Sequence, residues 1–200
     1  MESAVCIRNY DPPAWDKREI LRYAGVKGEV SELDALLQEC LDEIENKLAY
    51  RVCYREFSIA REENRLGLGF LTTNSADLMR NLSGCGSIVL FAATIGIEVD
   101  RLIARYATVS PTKALLFQAI GAERIESLCD AFCRDVAAQK AKDGYWTRPR
   151  FSAGYGDLPL ATQRNVFAAL DCSRRIGLAL NESLLMSPSK SVTAIIGVGK

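Results

Sequence analysis

The hydrophobic period of this chain changes between Leu48 and Val52, and that change limits its fold more than any other feature. Before it, Val30, Leu33, Leu36, Leu37, Cys40, Leu41, Ile44 and Leu48 recur at the spacing of one apolar helix face. Ser31 or Glu32 stands at the start of that helix, where the dipole favours acidic residues. After it, residues 51–60 (RVCYREFSIA) alternate Val52, Tyr54 and Glu56 against Cys53, Arg55 and Phe57, and are rich in β-favouring side chains. A chain that switches period so abruptly must pack helices against a sheet.

The rest of the sequence keeps this mixture. Residues 65–71 (RLGLGFL) put Leu66, Leu68 and Phe70 on one strand face, joined to the previous strand by a hairpin at Glu62-Glu63-Asn64. Residues 87–93 (SIVLFAA) are a continuous apolar run, which suits a fully buried strand, and residues 191–198 (SVTAIIGV) form the last strand. Helices are expected at 16–23, from an Asn74 or Ser75 cap to Leu82, at 97–106 and at 162–170. The longest runs from about Thr112 to Lys142, opened by Ser110-Pro111, with Leu116, Ala119, Ile120, Ile125, Leu128, Cys129, Phe132 and Val136 along its apolar side. The first 14 residues read as an arm, 143–149 as a loop and Arg174-Arg175 with Gly177 as a basic turn. Helix pairs and antiparallel-type hairpins without strict βαβα alternation define an α+β class, a mixed or antiparallel twisted sheet with long helices around it. Two hundred residues at 48% hydrophobic content suffice for one domain. Residues 1–110 are its helical and hairpin part, and residues 111–200 carry the candidate ligand loop.

Composition removes several kinds of chemistry. With 25 basic and 25 acidic residues, nothing draws the chain toward nucleic acid or an anionic membrane. There is no histidine, hence no imidazole acid–base catalysis, Ser-His or Cys-His pair, or imidazole-bound zinc. The seven cysteines are scattered and form no C-x-x-C pair. Cys129 and Cys133 share a helix face, but two thiols alone make a poor metal site. The cysteines read as small buried hydrophobes in a reducing cytosol. The start lacks a signal-peptide pattern and no apolar run reaches a membrane span, so a cytoplasmic protein without a membrane partner is expected.

One segment, residues 150–159 (RFSAGYGDLP), carries candidate chemistry. Arg150 can fork onto a carboxylate through two parallel hydrogen bonds. Gly154 and Gly156 let bare backbone approach a ligand. Tyr155 can lie against a flat ring and still use its hydroxyl. Together they suit a small zwitterion bearing an aromatic base, which describes S-adenosylmethionine (AdoMet).

This segment resembles the R-x-x-x-G-Y loop of the activation domain of cobalamin (vitamin B12)-dependent methionine synthase. The tail resembles that family's E-S-x-x-M-x-P-x-x-S-V-S segment, with Glu182, Ser183, Met186, Pro188, Ser191, Val192 and Thr193 at those spacings. Residues 121–130 (GAERIESLCD) look like the family helix that supplies a ligand-side carboxylate, here Glu126, with Asp130 one turn on and Glu123 in the alternative register. The resemblance is best over residues 114–198. It implies that Arg150 pairs with the methionine carboxylate of AdoMet. Ser152, Gly154 and Tyr155 would give backbone and ring contacts, and Glu126 would accept from the ligand's cationic or hydroxyl groups. The implied function is an activation module that positions the AdoMet methyl group for reductive methylation of cob(II)alamin. Cobalamin would be carried by a partner, a methionine synthase or other corrinoid protein, with a flavodoxin-like electron donor. The chain would then be a methyltransferase component, not a complete enzyme. Gly156-Asp157-Leu158 stand where the family has Pro-Ala-Cys, and the family's N-terminal ligand-contacting Asp has no counterpart placed here. Two alternatives follow: a corrinoid-protein docking or sensing module without AdoMet, or an activator of another corrinoid methyltransferase system.

Overall fold

The computed structural model describes residues 4–26 and 31–200, with the side chains of Ser31 and Glu32 excepted. Its elements, in chain order, begin with β1 (Cys6–Asn9), α1 (Lys17–Tyr23), α2 (Ser31–Ile44) and β2 (Arg51–Ser58). β3 (Ala60–Glu62), β4 (Arg65–Gly67), β5 (Thr72–Thr73), α3 (Ala76–Asn81), β6 (Cys85–Thr94) and α4 (Glu98–Tyr106) follow. Then come α5 (Pro111–Lys142), β7 (Trp146–Thr147), α6 (Gln163–Leu170), α7 (Cys172–Ile176), β8 (Ala179–Leu180), β9 (Met186–Ser187) and β10 (Ser191–Gly199).

The centre is a five-stranded antiparallel sheet in the order β1-β2-β6-β10-β7. β6 lies between β2 and β10, aligning Arg51, Thr94 and Ser191 at one end. Period-2 alternation sorts the side chains into two cores. Val52, Val89, Phe91, Ala93, Ala194 and Ile196 face α1, α2, α4 and α5. Cys53, Phe57, Ile88, Leu90, Ala92 and Ile195 face α3, α6 and α7. Residues 88–93 are continuously apolar because both faces of β6 are covered. The expected apolar stripe of α5 is buried throughout, and Phe117, Gly121, Glu123 and Arg124 are buried with it. Val30, read as part of the α2 face, lies outside the described residues.

Four expectations are corrected. The arm is not free: residues 6–9 pair with β2, and Arg124 fastens the segment after them. The Arg124 guanidinium donates to the carbonyls of Pro13 (2.6 Å) and Ala14 (2.8 Å), pairs with Glu123 and stacks on Trp15 at 4.2 Å. The strand at 65–71 stops at Gly67. Gly69 has φ +78° and lies so close to Phe57 that a Cβ would sit 2.6 Å from its ring. Residues 143–149 contain the edge strand β7, and the basic turn at Arg174-Arg175 is the helix α7, ended by Gly177 at φ +71°. Among the described residues no helix is long and apolar enough to cross a membrane.

Candidate functional site

The candidate loop grows out of the sheet edge. After β7, the chain stays beside β10: the Arg148 N–H donates to Gly197 O (2.8 Å), and Phe151 and Ile195 exchange both main-chain bonds (2.9 and 2.8 Å). Met186–Ser187 and Ser191–Gly199 become β9 and β10, and β10 is the rail along which residues 146–151 lie. The entry to β10 is fixed by the Ser191 hydroxyl, which donates to Pro188 O (2.8 Å) and accepts from the Thr94 hydroxyl (2.9 Å).

Because neighbouring strand residues point to opposite faces, the two halves of the motif part company at Phe151. Arg150 turns toward α5. Its guanidinium donates to Asp130 Oδ1 (3.0 Å) and to the Glu126 carboxylate. Arg150 is 25% exposed, Glu126 42% and Asp130 60%. Burial works against the arginine charge, but Cys129, Glu126, Asp130 and Cys133 around it more than offset this and raise its pKa. Burial also pushes the Cys129 and Cys133 thiols up.

Phe151 turns the other way, into the core under α3, α6 and α7, and the edge of Tyr155 meets its ring at 5.4 Å and 88°. Tyr155 is 70% exposed. The turn is closed from within: Tyr155 N–H donates to Ser152 O (3.2 Å), Gly154 N–H to Leu158 O (2.8 Å) and Leu158 N–H to Tyr155 O (3.2 Å). Gly154 (φ +86°) and Gly156 (φ +55°) take the left-handed region that the turn needs. A cleft of about 490 Å³ lies between Phe151, Tyr155 and Gly156 on one side and Asp77, Arg80 and Asn81 of α3 on the other.

The structure brings Arg150, Glu126 and Asp130 together. Gly154 and Tyr155 lie on the opposite flank of the same edge strand, with Ser152 at the crossing. Glu123 is not part of this group. It is 2% exposed, holds Arg124 and accepts from the Ser127 hydroxyl (2.6 Å). Sequence reasoning missed Asp157. Its carboxylate accepts from the Ser75 hydroxyl, Ala76 N–H (2.6 Å) and Asp77 N–H (3.2 Å), tying the loop to the start of α3. The Ser75 hydroxyl, then these two amides, hold its pKa below the ordinary aspartate value despite an opposing desolvation. The signal was present as an Asp two residues after Tyr155, a residue type that caps helices, but its partner lies 80 residues away. Among the described residues no group of three His, Cys, Asp or Glu side chains could hold a metal ion. Five cysteines are buried, Cys133 is half-buried and Cys6 is exposed.

No family model matches the chain, and no curated protein does. Among solved structures, the crystal structure of the MetH reactivation domain bound to AdoHcy matches 97% of this chain and 78% of its own, at 17% identity and a TM-score of 0.67. At that identity the likeness establishes the fold: an α+β antiparallel sheet with a long helix, arranged as in the MetH reactivation domain.

Proposed function

We propose that this protein is an AdoMet-binding activation module for a cobalamin-dependent methionine synthase. The observation that carries the reading is the fold, shared over nearly the whole chain with a reactivation domain whose crystal structure holds AdoHcy. The donor set fits such a ligand. A guanidinium is flanked by two part-exposed carboxylates, and the neighbouring turn offers two glycines without side chains and an exposed aromatic ring. Arg150 takes the amino-acid carboxylate, and Glu126 accepts from the ligand's amine or hydroxyls. Ser152 and Gly154 give main-chain contacts and Tyr155 covers the ring. Phe151 spends both its main-chain groups on β10, so those of Arg150 face away from it, toward a ligand lying along the edge.

AdoMet supplies a methyl group to cobalamin held by a partner protein, a methionine synthase or another corrinoid protein, as a flavodoxin-like donor supplies an electron. The chain's own work is to bind and orient, which needs no acid–base side chain. The protein is accordingly a cytoplasmic methyltransferase component in methionine biosynthesis.

Calorimetric titration tests this. AdoMet and AdoHcy should bind the wild-type chain, and Arg150→Ala should weaken AdoMet at least tenfold and abolish AdoMet-dependent rescue of an oxidised cobalamin partner. Its stability should change little. Glu126 and Asp130 are exposed enough to be rehydrated, and such pairs contribute about 1 kcal/mol or less each. No binding at millimolar AdoMet refutes the reading. One observation favours the docking alternative: the Arg150 fork is already held by Glu126 and Asp130. A docking module would capture a corrinoid protein with an affinity that AdoMet leaves unchanged, whereas an activator of another corrinoid system would capture a corrinoid protein other than methionine synthase in a pull-down.

A further inference from the structure

We propose that Asp157 is the positioning residue of the Gly-Tyr loop, a clamp on the start of α3 that holds Gly154-Tyr155-Gly156 in one shape before any ligand arrives. A turn with two left-handed glycines around an exposed tyrosine is loose by nature, because glycine has the largest conformational freedom to lose. The bonds inside the turn, Tyr155 to Ser152, Gly154 to Leu158 and Leu158 to Tyr155, are neutral and local. The Asp157 carboxylate adds a tie of another kind. Its charged oxygens accept from Ser75 Oγ, Ala76 N and Asp77 N of a different element, and charge-assisted bonds are about twice as strong as neutral ones.

The tie also serves α3. That helix has six residues, and its first amides have no partner within it. Ser75 receives Leu78 N–H (3.1 Å), and Asp157 receives the two amides before it. Loop and helix start are thus one unit, and the cleft between them has its walls fixed from both sides. Gly156 completes the fit: a Cβ there would lie 2.3 Å from Asp77 Oδ2. Pre-ordering the loop removes an entropy cost from ligand binding.

That the loop receives AdoMet rests on the function proposed above; the clamp does not. The experiment uses the full chain as wild type, Asp157→Ala, Asp157→Asn and Ser75→Ala, with two readings on each. Hydrogen exchange is followed without ligand, and AdoMet is titrated calorimetrically. Asp157→Ala should speed exchange at residues 76–78 and 152–158 about tenfold or more, leave β6 and β10 protected, and weaken AdoMet about tenfold, the equivalent of one lost charge-assisted bond. Asp157→Asn keeps one acceptor oxygen and should fall between wild type and alanine in both readings, an ordering that a loss of general stability would not give. Should Asp157→Ala melt the whole chain, the isosteric Asp157→Asn and Ser75→Ala carry the same readings. Unchanged exchange at 152–158, or AdoMet affinity within about twofold of wild type in these variants, overturns the clamp. Faster loop exchange in variants of a wild type that binds no AdoMet upholds the clamp and refutes the functional reading alone.

Discussion

Arg124→Met removes the only described cation beside Glu123 and should be the most damaging conservative-volume change on α5. Arg124 is 0% exposed and Glu123 2%. With the guanidinium gone, the Glu123 carboxylate keeps only the Ser127 hydroxyl among the partners described, and the Pro13 and Ala14 carbonyls lose their donors. Removing one partner of a buried pair costs about 3–5 kcal/mol, because the other charge remains desolvated. In a chain of 200 residues each kcal/mol lowers Tm by about 2–4 °C, so a fall of about 6–20 °C is expected. The measurement is thermal and urea unfolding followed by circular dichroism, with the double variant Glu123→Leu/Arg124→Met beside it. Apolar replacement of a whole buried pair is often neutral or stabilising, so the double variant should recover most of the loss. Its arm should stay mobile all the same, since the tie to Pro13 and Ala14 is not restored. A loss below about 1 kcal/mol in Arg124→Met, or a double variant no better than the single, would refute the argument from uncompensated charge.

Three further outcomes follow from the same geometry. Gly156→Ala forces a Cβ into the left-handed region and displaces Asp77, so it should cost about 1–2 kcal/mol in urea unfolding, and an unchanged midpoint would count against the clash. The Asp157 carboxyl has a folded pKa below its unfolded value, so its contribution is complete above the ordinary aspartate range and is lost as pH falls through the lower folded value. The Tm difference between wild type and Asp157→Asn should therefore be constant near neutrality and vanish in acid, and a difference that persists in strong acid would contradict this. Toward a thiol reagent, Cys6 should react at once and Cys133 slowly. Cys40, pushed up to about 11 by burial, and Cys129, pushed higher still, should react only on unfolding. Rapid modification of either in the native protein would contradict their burial.

The elements that could be read in advance are those whose signal is local. The stripe on α5 and the helix face of α2 announce themselves through side chains one turn apart. The alternation in β2 and the apolar run in β6 do so through the strand period. β1 could not be read this way. Its burial pattern is mostly exposed, and it is a strand because its backbone pairs with β2, a segment more than forty residues away. β7 has only two residues, and its place is set by β10.

The site divides along the same line. The sequence alone determined an α+β chain without imidazole chemistry and a short segment that holds Arg150, Gly154 and Tyr155; Ser152 and Glu126 join them only through the resemblance to the activation-domain family. Hydrophobic period and residue type are enough for the chain and the segment. Only the tertiary structure decided which charges meet. It placed Glu126 and Asp130 on Arg150 and buried Glu123 with Arg124. It turned Tyr155 to the opposite flank and gave Asp157 to α3. The reason is physical: hydrophobic period acts between neighbours in the chain, whereas ion pairs and caps join groups that become neighbours only after the sheet has formed.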